Sequence, residues 1–299
     1  MKEMFLNSGN IMPRSNNVLL KNTGNLKQKR IMIGIPMTGL VRAEWMLARY
    51  GQVIPCNWSQ VDSIQWLDQY TPLEFLVADA RNIIVHNCLK NGFEWLFQID
   101  HDVVLQHDTF LRINDYMLAG DVPMLSGLYF TKSVPSEPLI YRGRGNSYYA
   151  DWKLGDKVWV DGIPSGITLI HSSLLKVLAE ESKSYEVMPG LHIKEVYTTP
   201  GKTWYDPEAR SWYASTGTED LELCTRIMED RIFEKAGWPE FQDKEFPFLC
   251  DTGIFGRHID NDGKTYPSAG EDFRFAPDDE FDRLRPDAGE AVRTSKDGV

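Results

Sequence analysis

Residues 93–102 read FEWLFQIDHD, a run of aromatic and aliphatic residues that ends in two aspartates separated by one residue. A short segment that is apolar at nearly every position is typical of a strand covered on both faces of a sheet. Asp100 and Asp102 follow its last apolar residue, Ile99, at once. The stretch therefore predicts a central strand with a pair of carboxylates at its carboxyl end.

The segments before this strand alternate between two patterns. Residues 31–35 are a short apolar run that stops at Pro36, and a helical pattern follows around Trp45. A second helical pattern covers residues 76–89 and leads directly into the strand at 93–99. Strands and helices in alternation predict an α/β fold with a mostly parallel central sheet flanked by helices, in which ligands bind beyond the carboxyl ends of the strands.

Three later apolar segments also read as strands, at residues 124–129, 158–160 and 166–170. The last leads into a helical pattern at residues 174–178. These segments continue the alternation, so we expect residues 30–267 to form one domain.

Two terminal stretches differ from this domain in composition. Residues 1–29 are polar and rich in Asn and Lys, and residues 268–299 are dominated by Asp, Glu, Arg, Pro and Gly. Stretches with so few apolar residues cannot bury enough surface to fold alone. We expect flexible extensions at both ends, the second of them acidic and disordered.

Composition and charge limit the kinds of partner. The chain of 299 residues carries a formal net charge of -11 and no block of Lys or Arg, which argues against nucleic-acid binding.

No apolar run approaches the ~20 residues that a membrane-spanning helix needs, the first residues do not resemble a secretory leader, and the cysteines form no Cys-x-x-Cys pair. We expect a cytoplasmic protein with reduced thiols and no transmembrane segment. An acidic protein that binds a diphosphate must neutralise it locally, with a cation or a few well-placed arginines, and a divalent metal is the simplest solution.

The aspartates after the central strand are the first candidate site. Asp100 and Asp102 can both face a cleft if the backbone turns there, and carboxylate oxygens suit Mg²⁺ or Mn²⁺. The alternative is a solvated turn at a strand end, which has the same sequence.

Two later stretches carry further candidates. Residues 216–220, TGTED, open a helical pattern, and Thr216 and Glu219 have the spacing of a capping box. Capping accounts for one acid and leaves Asp220 free to act as a general base. His258 lies in what reads as a loop, where imidazole is either a metal ligand or an ordinary hydrogen-bonded residue.

These stretches together resemble family 2 glycosyltransferases and related GT-A enzymes. The similarity covers roughly residues 30–260 and is carried by FEWLFQIDHD at 93–102, LSGLY at 125–129, TGTED at 216–220 and GRHI at 256–259. The TED triplet also resembles that of cellulose-synthase-type enzymes, but this sequence has neither the QxxRW motif nor the membrane segments of a synthase. The resemblance implies a Rossmann-like fold of the GT-A type.

The resemblance also implies roles for individual residues. Asp100 would face the donor ribose and the metal, Asp102 would bind the metal, and His258 would complete the metal site. The acidic pair Glu219 and Asp220 would supply the catalytic base, with Asp220 as that base.

Two less specific matches concern the residues that would bind the donor. The loop with Pro36, Thr38 and Gly39 resembles the place where these enzymes bind the nucleotide base and ribose, and Arg81 resembles a residue of the helix beside the donor. Each has another explanation, because the proline and glycine also end strands and Arg81 is able to pair with Asp79 on the surface.

Residues 203–213 are dense in Trp and Tyr and come just before the TED triplet. Aromatic faces stack on sugars, so this segment is a candidate loop that would form one wall of the acceptor site, the acceptor wall. Alternatively, Trp204 and Trp212 fill the core under a long loop.

The sequence thus predicts a glycosyltransferase that moves a sugar from a UDP- or GDP-sugar to a hydroxyl of a glycan or another acceptor. The reaction would depend on Mn²⁺ or Mg²⁺ and would invert the anomeric centre. Three alternatives stay open, namely a nucleotidyltransferase, a metal-dependent phosphohydrolase and a non-catalytic protein that binds nucleotides or carbohydrates.

Overall fold

The structure is a computed structural model that describes residues 31–55, 58, 64–66, 75–143 and 149–268, with the backbone alone at 64–66, 202–204 and 212–216. The predictions for residues 1–29 and for the tail beyond Ser268 lie outside the described residues.

Helices and strands are interspersed along the described chain. The helices are α1 (Ala43–Tyr50), α2 (Val77–Lys90), α3 (Thr109–Ala119), α4 (Ser172–Glu181), α5 (Glu219–Glu229), α6 (Ile232–Lys235) and α7 (Pro239–Gln242). The strands are β1 (Ile31–Gly34), β2 (Ile64–Trp66), β3 (Trp95–Ile99), β4 (Val103–Leu105), β5 (Met124–Leu128), β6 (Lys157–Val160), β7 (Ile167–His171), β8 (Ser184–Met188), β9 (Leu191–Lys194), β10 (Gly201–Asp206), β11 (Ser211–Thr216), β12 (Phe248–Ile259) and β13 (Thr265–Tyr266). Within these ranges no helix has both the length and the apolar composition needed to cross a bilayer.

Nine of the described strands form one sheet, whose central order is β2-β1-β3-β7-β5-β12. β1 pairs parallel with β2 and β3, and β5 pairs parallel with β12. β7 runs antiparallel between β3 and β5, while β4, β6 and β13 each pair antiparallel with β12. Five of the six central strands therefore run in one direction. The predicted α/β fold, a mostly parallel central sheet flanked by helices in a single domain, is confirmed in this mixed form.

An apolar core covers each face of the sheet. Trp95, Phe97 and Ile99 of β3 point to one core, which α1 and α3 complete, and Leu96 points to the other, which α2, α4 and α5 complete. Successive side chains of a strand face opposite sides. Burial on both faces is therefore the reason why the strand at 93–99 is apolar almost throughout.

Several chain segments meet at one end of the strands of this sheet, which we call its carboxyl edge. The carboxyl ends of β1, β3, β5 and β12 share that edge because these strands run in the same direction. β7 runs the opposite way, so its amino end at Ile167 lies there as well. The loops that follow four strands and precede a fifth are thereby brought together, as expected for a ligand site in an open α/β sheet.

Two segments differ from the prediction. His258 lies within the twelve-residue strand β12 rather than in a loop. Asp251, Gly253 and Gly256 interrupt the apolar pattern of this stretch, and the pairing of β12 with β5 shifts register between Asp251 and Phe255. An irregularity of this kind bends a strand and hides its periodicity in the sequence.

The aromatic segment before the TED triplet is also not a loop. β10 and β11 form an antiparallel hairpin, in which Trp204 pairs with Tyr213 and Tyr205 with Trp212. The side chains of Trp204 and Trp212 lie outside the described part of the chain, so their predicted contact with an acceptor stays a prediction.

Candidate active site

The turn after β3 is fixed by hydrogen bonds to two other elements. The Asp100 amide donates to the carbonyl of Gly166 at 3.0 Å, which ties the turn to the start of β7. The Asp100 carbonyl accepts from Nε1 of Trp45 on α1 at 2.9 Å and from the amide of Val103 at 3.2 Å. The backbone therefore turns immediately after the strand, and both aspartate side chains leave the sheet at its carboxyl edge.

Arg81 is the central cation of the site. Its side chain, from α2, is 3% exposed, and its Nη2 lies 2.9 Å from Oδ1 and 3.2 Å from Oδ2 of Asp100. Its Nε donates to Oε1 of Glu219 at 3.0 Å, and its Nη1 donates to Oε1 of Gln98 at 2.8 Å. Burial disfavours the charged guanidinium, but Asp100 and Glu219 outweigh burial and raise the pKa of Arg81. The arginine thus joins the end of β3 to the first turn of α5.

The surface pairing considered for Arg81 is wrong. Asp79 accepts a hydrogen bond from the hydroxyl of Tyr185 at 2.6 Å, whereas the guanidinium of Arg81 is buried against Asp100 and Glu219. Positions 79 and 81 lie about 200° apart around a helix, so the two side chains leave α2 in different directions.

Asp220 stands next to Glu219 at the start of α5. Its Oδ1 accepts from the amide of Leu221 at 2.8 Å, and its Oδ2 accepts from the amide of Ser165 at 3.3 Å. The carbonyl of Ser165 lies 3.4 Å from Nη1 of Arg81, so the same short segment contacts both groups. Burial raises the pKa of Asp220 above its usual value. A carboxylate with a raised pKa accepts a proton more readily than an ordinary aspartate.

His258 reaches the same edge through the pairing of β12 with β4. It lies opposite Val103 in that pair, and the amide of Ile259 donates to the carbonyl of Asp102 at 2.8 Å. Nδ1 of His258 faces the carbonyl of Phe130, which only accepts hydrogen bonds, so Nδ1 carries the proton. Burial lowers the pKa of His258. The neutral ring therefore keeps its lone pair on Nε2, the form in which imidazole binds metals.

Lys132 is bound to two carboxylates beside His258. Its Nζ lies 2.7 Å from Oδ2 of Asp102 and 3.3 Å from Oδ1 of Asp260. Burial raises the pKa of Asp102, but His258 and Lys132 outweigh burial and bring that pKa below its usual value. The carboxylate of Asp102 is therefore ionised at neutral pH and pairs with the ammonium group of Lys132.

Tyr129 lies between these groups. Its hydroxyl accepts from the amide of Gly166 at 2.8 Å, and its ring meets the His258 ring edge-on at 4.9 Å between centroids. Burial and the charges of Asp100 and Asp220 raise the pKa of Tyr129 well above its usual value. The neutral phenol thus packs the space between the two aspartates and the histidine.

The loop after β1 approaches the site from the other side. Nδ1 of His101 donates to the carbonyl of Pro36 at 3.1 Å, and its Nε2 lies 3.1 Å from Oγ1 of Thr38. Gly39 follows with φ of 110°, a conformation that favours glycine. The predicted donor loop therefore contacts the turn of the central strand directly, through a residue that the sequence analysis did not single out.

A cavity of about 260 Å³ opens between these elements. It is lined by Thr38, Leu40, Val41, Arg42, His101, Asp102, Lys132, Ile259, Asp260 and Asn261. Arg42 at its rim donates to Glu44 at 2.7 Å and to the carbonyl of Asn261 at 2.9 Å. Hydroxyl, carboxylate and cationic groups thus face one open space, and the lining does not include Arg81, Glu219, Asp220 or His258.

The predicted metal ligands come close together without forming an assembled metal site. In the part of the chain that the structure describes, no three His, Cys, Asp or Glu side chains are grouped so as to hold a metal ion. Both oxygens of Asp100 contact Arg81, which leaves Asp102, a lining residue of the cavity, and His258, which the pairing of β12 with β4 brings close to Asp102. Magnesium is usually bound by one or two carboxylates, with substrate phosphates and waters as its other ligands. Asp102 is a ligand of this kind, and His258 would be a second protein ligand in place of the predicted set of three.

The charge balance of the site also favours a cation. Among the described side chains, the acidic groups that meet here outnumber the cationic ones, with Glu44, Asp100, Asp102, Glu219, Asp220 and Asp260 against Arg42, Arg81 and Lys132. Nearby like charges raise one another's energy unless a counter-ion is present.

Sequence reasoning missed Lys132, Tyr129, Asp260 and His101 as members of the site. The signal available for Lys132 was its place four residues after the end of β5, a strand whose carboxyl end could be expected at the same edge. Asp260 follows His258 by two residues, the same spacing as Asp100 and Asp102.

Comparison with known proteins adds little. No family model matches the chain, and no curated protein matches it. The crystal structure of A197 from STIV is 15% identical, covers 79% of this chain and 88% of its own, and has a TM-score of 0.44. A protein of Bacillus anthracis described as a glucose-1-phosphate thymidylyltransferase, solved in complex with sucrose, is 10% identical over 74% of this chain and 99% of its own, with a TM-score of 0.30. Both are too remote to say what this chain does.

Proposed function

We propose that this chain is a glycosyltransferase of the GT-A type, which transfers a sugar from a UDP- or GDP-sugar to an acceptor hydroxyl with inversion and with a divalent metal. One observation carries the proposal. Arg81 binds Asp100 and Glu219 at once, although 138 residues separate Arg81 from Glu219, and so brings the DxD turn and the TED triplet to the same edge of the sheet.

The cavity supports a nucleotide-diphosphate donor. It lies beyond the carboxyl ends of the parallel strands, where open α/β sheets bind their ligands. Thr38 and His101 present polar groups suited to a ribose or base, and Arg42 and Lys132 present positive charge suited to phosphate oxygens. The predicted donor contacts of Pro36, Thr38, Gly39 and Arg81 remain part of the proposal. Arg81 would act indirectly, by holding the carboxylate of Asp100 in place.

Asp102 and His258 are the residues that would hold the metal, together with the donor phosphates. A divalent cation bound there would stabilise the negative charge that develops on the departing nucleoside diphosphate.

Asp220 would act as the general base. The acceptor oxygen forms a bond to the anomeric carbon as the bond from that carbon to the phosphate oxygen breaks, and the hydroxyl proton passes to the Asp220 carboxylate. The Ser165 amide at 3.3 Å orients this carboxylate, while Arg81 holds the adjacent Glu219. Attack from the face opposite the leaving group gives inversion.

The hairpin of β10 and β11 remains the candidate acceptor wall. It ends at Thr216, two residues before the N-cap of α5 at Thr218, and so adjoins the proposed base. Tyr205 of this hairpin is half exposed, as a residue that contacts an acceptor must be.

The test is a screen of UDP- and GDP-sugars for release of the nucleoside diphosphate, with Mn²⁺ or Mg²⁺ and with a chelator. We expect release by the wild type that needs the metal. Asp220→Asn should bind the nucleotide normally and lose a factor of about 10² to 10⁴ in rate. Asp102→Asn should weaken metal-dependent nucleotide binding. Asp243→Asn is the matched control, because Asp243 is an exposed carboxylate paired with Arg231.

Full release by Asp220→Asn would remove this residue as the base. Failure of the wild type to release a nucleoside diphosphate from every sugar donor, with either metal, would overturn the proposed function as a whole.

A further inference from the structure

Lys132 occupies an unusual position for a positively charged residue in a proposed metal site. Its ammonium group contacts Oδ2 of Asp102 at 2.7 Å, Oδ1 of Asp260 at 3.3 Å and the carbonyl of Ile259 at 3.5 Å. The side chain is 33% exposed and lines the cavity. The chain thus places its own cation on the carboxylate that faces the proposed donor.

The ammonium group and a divalent cation compete for the same carboxylate. An ammonium group has three donors and no acceptor, so it binds carboxylates and cannot share them favourably with a second cation at contact distance. With Asp100 paired to Arg81, Asp102 is the DxD carboxylate left for a metal. A metal that binds alone at this carboxylate is therefore opposed by the charge of Lys132 for as long as the ammonium group stays there.

Of the two cations that line the described cavity, Lys132 is the one that contacts a carboxylate of the DxD turn. Arg42 is held by both oxygens of Glu44 and by the carbonyl of Asn261. Lysine carries a compact charge on a flexible four-carbon stem, which lets it exchange one anion for another within the same cavity. Phosphate oxygens of a bound nucleotide would provide that second anion.

We propose that Lys132 is an exchangeable counter-ion, which holds Asp102 until a nucleoside diphosphate enters and then transfers its contact to the phosphates, leaving Asp102 free for a divalent cation. This inference rests on the proposed function for the identity of the nucleotide and the metal. Its consequence is that metal and nucleotide bind cooperatively, and such coupling is reciprocal.

A permanent ion pair has a different consequence. If Lys132 only fastened the segment after β5 to Asp102 and Asp260, its removal would leave two carboxylates less well ordered. It would also remove a positive charge, which strengthens Mn²⁺ binding by about the same factor with and without nucleotide, so the coupling between metal and nucleotide would not change.

The experiment measures Mn²⁺ binding to the wild type and to Lys132→Gln, first alone and then with saturating UDP or GDP. We expect weak binding to the wild type alone and at least about tenfold tighter binding with a nucleoside diphosphate, within the usual range of coupling. Lys132→Gln should bind Mn²⁺ alone about tenfold more tightly than the wild type, and the nucleotide should tighten it much less.

Two further variants serve as controls. Lys132→Arg retains the charge and should keep weak Mn²⁺ binding in the absence of nucleotide. Lys235→Gln breaks a remote ion pair of similar exposure, Nζ of Lys235 to Oε1 of Glu181 at 2.6 Å, and should match the wild type in every titration.

Equal Mn²⁺ affinity of the wild type and Lys132→Gln without nucleotide would overturn the exchange, as would equal tightening of Mn²⁺ binding by the nucleotide in the two proteins or binding of Mn²⁺ to neither protein. Release of nucleoside diphosphate from a sugar donor by the wild type tests the proposed function separately. A failed exchange with active wild type therefore leaves the glycosyltransferase proposal intact.

Discussion

Nη2 of Arg81 lies 2.9 Å from Oδ1 of Asp100, and the arginine side chain is almost entirely buried. This contact connects a helix of one core to the end of the central strand. Because Nε of the same guanidinium binds Glu219, one side chain determines the spacing between the two acidic motifs. A buried arginine of this kind is costly to remove because its carboxylate partners remain.

Arg81→Met should destabilise the fold by about 3–5 kcal/mol, since it leaves Asp100 and Glu219 partly buried without a counter-ion. Chemical denaturation followed by circular dichroism measures the change. The control is Arg231→Met, which breaks exposed contacts to Glu234 and Asp243 and should leave the denaturation midpoint almost unchanged. Equal midpoints for the two variants would contradict the structural role of Arg81.

Gly166→Ala should disturb the site through a direct clash. A Cβ at this position would lie 2.6 Å from the hydroxyl oxygen of Tyr129 and 3.1 Å from Oδ2 of Asp100. Overpacking of this kind costs about 1–3 kcal/mol, and we expect lower stability together with weaker donor binding. Gly201→Ala provides the comparison, because no described atom lies within 4 Å of a Cβ there. The expectation fails if both alanine variants unfold and bind alike.

The rate of transfer should depend on the ionisation of Asp220. Its pKa is raised by burial above the ordinary 3.8, and only the deprotonated carboxylate accepts a proton. Activity should therefore be present above the raised pKa and fall as the pH drops through it, at a higher pH than for an ordinary aspartate. A profile of kcat against pH measures this acid limb. An acid limb centred below 3.8 would show that another group controls the rate.

Thr38→Val should affect donor affinity more than chemistry. The substitution removes the hydroxyl that lies 3.1 Å from Nε2 of His101 and keeps the shape of the side chain. Loss of one hydrogen bond of about 0.5–1.5 kcal/mol corresponds to a two- to tenfold change, which we expect in KM for the donor with kcat nearly unchanged. A fall in kcat at constant KM would place Thr38 in the chemical step instead.

The α/β class could be predicted from the sequence because the burial of a strand or helix produces an apolar pattern within that segment alone. Residues 31–35 and 93–99 are apolar almost throughout, and the helical pattern at 76–89 separates them, so each element is recognisable without its neighbours. The same holds for the start of α5 at Glu219, where acids favour a helix N-terminus. β12 was missed because Gly253 and Gly256 break its apolar pattern, although the strand pairs over much of its length.

The sequence by itself determined the class of fold and the acidic motifs that are candidates for chemistry. Only the tertiary structure decided that Arg81 lies between Asp100 and Glu219, that His258 pairs opposite Val103, and that Lys132 binds Asp102. The physical reason is that apolar periodicity acts over a few neighbouring residues, whereas these contacts depend on strand order and register. Both are set by packing between segments that are remote in the chain.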